Sequence, residues 1–137
     1  MLKHLMGVWK LVALRSVRPN GEVTTGWLGP QPGGHLVYHE QGHMAVQLVR
    51  DPPAAAFEAY YAYFGRFEVD EAKGLLRHIV LGSLSPDEAG HTFEHRFRLT
   101  GDRLVLEGPA FDAEGERRYS RLEWVRMTRR PVSERPP

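Results

Sequence analysis

Nothing in this chain restricts its fold as much as the nine residues TFEHRFRLT, from Thr92 to Thr100. Phe93, His95, Phe97 and Leu99 alternate with Thr92, Glu94, Arg96, Arg98 and Thr100. A period of two puts these sets on opposite faces of a β-strand. One face is apolar and the other strongly polar, so the strand covers a core on one side and meets water on the other. A one-residue slip would carry Arg96 and Arg98 inside, and the cost of burying charge opposes it. His95 should therefore point inward, where an imidazole needs a hydrogen-bond partner. The hydroxyl of Tyr61 or Tyr63 is the expected one.

The rest of the chain punctuates in the same way. Strand-forming runs are expected over 8–17, 35–39, 43–50, 61–70, 75–84, 92–100, 103–107 and 117–127. Turn signals separate them, such as Arg18-Pro19-Asn20-Gly21 and Glu40-Gln41-Gly42. The stretches 26–34 and 108–116 read as loops, and a short helix is expected near residues 53–60. Tyr61, Tyr63, Phe67 and Val69 share one parity; Gly65 falls on it too and marks a bulge or bend. Short links make neighbouring strands antiparallel, and closure removes exposed edges. The fold class is all-β: an antiparallel up-and-down β-barrel of about eight strands, with a two-sheet sandwich as the alternative.

A chain of 137 residues suits one domain. The barrel is expected over 1–128 and a flexible tail over 129–137, where charges and prolines leave nothing to bury. A formal net charge of +1 gives no reason to expect nucleic acid as a partner. No apolar run approaches the ~18 residues of a membrane span, so no membrane partner is expected. The absence of cysteine excludes disulfides and thiolate zinc sites. No apolar core of signal length follows Met1, and the expected location is cytoplasmic.

Gly7 and Trp9 open the first strand, and several later blocks keep them company: GHLVYHEQGHMAVQL (34–48), AYFGRFEVD (62–70), HIVLGSLSP (78–86), RFRLTGDRLVL (96–106) and LEWVR (122–126). In that order they resemble the short bacterial lipocalin-like domain family, whose fold is a calycin-type β-barrel. The resemblance implies that Trp9 plugs one end of the barrel and that Arg126 packs across its ring. It also implies a small ligand held in the interior. Asp87-Glu88-Ala89-Gly90 stands where that family often has an aromatic residue; if that aromatic closes the barrel mouth, the resemblance implies that this chain closes it otherwise.

The residues assigned to an interior ligand site are His95, Tyr61, Tyr63, His78, Phe97, Trp124 and Tyr38. The face that His78 takes stays open, because both faces of its strand are apolar. His95 is either a core histidine bonded to a tyrosine or a polar contact within a ligand cavity. His35, His39 and His43 lie four apart, but on a hairpin that spacing does not converge, and no metal site is expected. Arg66 and Arg96 belong to the outer face. No serine elbow, phosphate loop or converging carboxylate pair is present, so no catalytic residue and no cofactor are assigned. The function expected is binding of a small hydrophobic or aromatic molecule. Cyclase or isomerase chemistry by an interior His/Tyr pair, and a packed barrel acting in protein association, stand as alternatives. A homodimer is left open.

Overall fold

The computed structural model describes residues 2–52, 56–128 and 132–136. A short helix, α1 (Leu2–Leu5), precedes nine strands: β1 (Gly7–Val17), β2 (Val23–Thr25), β3 (Gly33–Tyr38), β4 (His43–Val49), β5 (Tyr60–Asp70), β6 (Leu75–Ser83), β7 (Thr92–Thr100), β8 (Arg103–Ala113) and β9 (Glu116–Arg126). They pair in the order β2-β1-β3-β4-β5-β6-β7-β8-β9, and β1 also pairs with β9. That last ladder runs from Trp9 opposite Arg126 to Val17 opposite Tyr119. It closes eight antiparallel strands into a barrel and disposes of the sandwich alternative. β2 is an extra strand held only by the second half of β1.

The β7 alternation sets the pattern for the interior. His95 is buried, Phe93, Phe97 and Leu99 are half-buried, and the intervening polar residues are exposed. On β6, pairing with β7 resolves what the sequence left open. Leu76 lies opposite His95, so Leu76, His78 and Val80 take the inner face and Leu81 the outer. β5 contributes Tyr63 and Phe67 to the inside. Its ladder to β6 shifts register between Phe64 and Gly65. A Cβ on Gly65 would lie 1.9 Å from the Ile79 carbonyl oxygen, so only glycine permits the two backbones to approach there.

Three expectations need correction. The loop expected over 108–116 is largely strand, because β8 continues to Ala113 through a bulge between Glu107 and Ala110. The segment before Gly26 contains β2, a strand too short and polar to show in the sequence, and Gly33 and Gly34 belong to β3 rather than to a loop. The helix near 53–60 reduces to a 3-10 turn, Phe57–Ala59, with Tyr60 already in β5; residues 53–55 lie outside the described residues. The tail expectation falls partly outside them too. Residues 132–136 are exposed and without regular structure.

One half of the barrel is filled. Trp9, Tyr38, Met44, Phe67, Leu76, Leu104 and Trp124 are buried in a continuous core. The Trp9 indole N–H donates to the Leu5 carbonyl at 3.0 Å, which ties β1 to α1. The Arg126 guanidinium lies 4.3 Å from the Trp9 ring centroid. It donates to the Met6 carbonyl at 2.9 Å and also to that of His4. This end is closed by an aromatic plug under a cation, the contact implied by the family resemblance.

Candidate functional site

The other half of the barrel is not filled. It contains a half-open cavity of about 280 Å3, close to the ~300 Å3 lower end for small-molecule sites. Leu36 on β3, Val46 and Leu48 on β4, Phe93 on β7, Leu106 on β8 and Leu122 on β9 supply apolar wall. Alternation along each strand turns these side chains inward, and the β1 bulge between Leu11 and Ala13 brings Leu14 to the same side. Trp27, half-exposed in the loop after β2, stands at the rim with Pro109.

Two buried histidines form the polar part. His78 receives a tyrosine at each ring nitrogen: Tyr38 Oη lies 2.6 Å from Nε2, and Tyr63 Oη 2.5 Å from Nδ1. Burial, and then the neighbouring His95, hold its pKa well below the ordinary range. The ring is therefore neutral, with one N–H and one bare nitrogen. One tyrosine donates to the bare nitrogen, and the other accepts from the N–H. Burial in turn raises both phenols well above their usual pKa.

His95 stacks obliquely on His78, with centroids 4.7 Å apart. Its partner is not a tyrosine. His95 Nδ1 lies 2.9 Å from the Gly108 carbonyl oxygen, which can only accept, so Nδ1 carries the hydrogen. The β8 bulge aims that carbonyl. Gly108 sits at φ 111°, in the region open to glycine. Burial lowers the His95 pKa to about 4, although the bond to Gly108 works the other way. The neutral ring thus keeps a lone pair on Nε2, and that atom is buried without a partner.

Of the seven residues assigned from sequence, His95, His78, Tyr61, Tyr63 and Trp124 line the cavity. Tyr38 lies behind His78 and packs on Phe67 at 4.7 Å. Phe97 is half-buried against the core, two residues deeper on β7 than His95, and neither Tyr38 nor Phe97 lines the cavity. Tyr61 does not reach His95 either. Its hydroxyl donates to Glu88 at 2.6 Å, and the Ser83 hydroxyl donates to the same carboxylate oxygen at 2.7 Å. Burial and this bond raise the Tyr61 pKa. The pair pins the loop after β6 across the cavity's edge.

Sequence reasoning missed Trp27, Glu88, Gly108 and Pro109. The first two sit in loops, where no periodicity assigns a face. Gly108-Pro109 carried a bulge signal, glycine followed by a residue that cannot donate to a ladder. Phe93 shares the parity of His95 and was within reach of the same argument.

The closed end, the up-and-down ladder and the interior cavity define a lipocalin-like barrel, a fold built around a central hollow. Residues 6–127 match the lipocalin-like domain family, and the chain belongs to that family. Among curated proteins, none matches the chain.

Proposed function

We propose that the barrel binds one small, uncharged, largely apolar or aromatic molecule. The observation that carries this is the cavity wall. Among the described lining residues, Glu88 is the only Asp, Glu, Lys or Arg. No cation stands ready to receive a carboxylate or phosphate, and a buried anion without a partner is strongly disfavoured. An engineered cavity of ~150 Å3 holds benzene, so about 280 Å3 suits a one- or two-ring ligand.

The histidines favour recognition over proton transfer. Both nitrogens of His78 are engaged. His95, at about 4, is a weak base for chemistry near neutral pH. Naphthalene should quench tryptophan fluorescence saturably, one molecule per chain, because Trp124 and Trp27 border the cavity. Val46→Phe, which pushes a ring into the space, should weaken binding at least about tenfold while the melting curve stays cooperative. The anion 2-naphthoate should bind worse than naphthalene. Equal binding of naphthalene by Val46→Phe, or tighter binding of the anion, would refute the proposal.

A further inference from the structure

Buried polar side-chain atoms in proteins almost always find a partner. Among the described residues, three lack one: Ser16 Oγ, His95 Nε2 and Trp124 Nε1. Two of these three belong to residues that line the cavity. Each residue is at most 4% exposed, so bulk water does not satisfy them.

The two atoms have opposite roles. On His95, Nδ1–H is committed to the Gly108 carbonyl, so Nε2 can only accept. Covalent geometry then fixes where it faces. Nδ1 is the ring nitrogen nearer the backbone, and it is tied to the adjoining strand wall. Nε2 is at the far side of the ring, and on an inward-pointing side chain it faces the interior. On Trp124, Nε1–H can only donate. The two residues are well separated on the barrel wall. Leu104 of β8 pairs with Trp124 of β9 and with Leu99 of β7, which places Trp124 four residues deeper than His95.

We infer that the cavity selects an uncharged ligand bearing a hydrogen-bond donor for His95 Nε2 and an acceptor for Trp124 Nε1–H, on an apolar frame that spans the two. Phenols and hydroxylated ring systems with a carbonyl or ether are the class described. The inference rests on the binding function proposed above and adds the polar selectivity. Both atoms are already unpaired in the free protein, so a ligand that brings the matching group gains a hydrogen bond for which the protein side gives up no water.

Three probes of one frame separate the contributions: naphthalene with neither group, 2-methoxynaphthalene with an acceptor only, and 6-methoxy-2-naphthol with a donor and an acceptor at opposite ends. In a purely apolar pocket the added hydroxyl loses water without recompense, and 6-methoxy-2-naphthol binds more weakly than 2-methoxynaphthalene. Here it should bind about 3- to 10-fold more tightly, and the ether should in turn exceed naphthalene. His95→Phe should erase the naphthol advantage alone, and Trp124→Phe the ether advantage. The ladder in the native protein decides the matter even if either variant fails to fold. A flat or inverted ladder with naphthalene bound inside overturns this inference and leaves apolar binding standing. If none of the three binds, both readings fall.

Discussion

Tyr38, His78 and Tyr63 form a hydrogen-bonded triplet with its central ring wholly enclosed. Its worth lies in what happens when a member is removed. Tyr63→Phe keeps the ring in place and deprives His78 Nδ1 of its partner. Leaving a buried polar group unsatisfied costs about 1–3 kcal/mol, and urea unfolding should register a loss of that size. An unchanged midpoint would mean that the triplet contributes nothing. At the closed end, Trp9→Ala should cost about 3–5 kcal/mol, as for other buried aromatics. Arg126→Ala should cost less, and the double variant should fall short of the sum by about 1 kcal/mol, since the two side chains share one contact. Strict additivity in that double-mutant cycle would show that the stacking is energetically idle.

Among the elements, the bulges position the site and the regular stretches hold it. Gly65 and the Glu107–Ala110 bulge of β8 both break a ladder. Gly65→Ala forces a methyl group onto the Ile79 carbonyl. Overpacking of this kind costs about 1–3 kcal/mol or more, and the thermal midpoint should drop sharply; a native-like melt would contradict the close approach. β7 was legible in the sequence because only one of its faces tolerates arginine. β6 was not, because Leu75 and Ile79 are half-buried on its outer side and blur the contrast with Leu76 and Val80. Its direction, and with it the place of His78, was settled by the cross-strand register. β2 and the second half of β8 escaped notice for another reason. They bury little, and glycine and proline mask the pairing that backbone hydrogen bonds maintain. His95, Tyr61 and Tyr63 fell where parity could place them in the cavity wall, whereas the carbonyl that holds His95 belongs to the backbone, which no side-chain pattern reports.

For the whole molecule, two neutral buried histidines make stability depend on pH. The native pKa of His95 is about 4 against an ordinary 6.5, and His78 is displaced in the same direction. Below about pH 6.5 the unfolded chain takes up protons that the native protein refuses, so stability is fullest above that value and declines as pH falls toward 4. His95 alone accounts for about 3 kcal/mol of the decline. Urea unfolding at about pH 7.5 and about pH 4.5 should show the loss. Equal stability at both would mean that neither ring is held neutral in the native state.

The account turns on whether half of this barrel is hollow. The most direct measurement is a crystal structure of the protein saturated with naphthalene. The account predicts ring density inside the barrel, against Val46, Phe93, Leu122 and Trp124, with those side chains in place and the Tyr38–His78–Tyr63 triplet intact. Those same side chains collapsed together into a filled interior, with naphthalene found only on the outer surface, would contradict it.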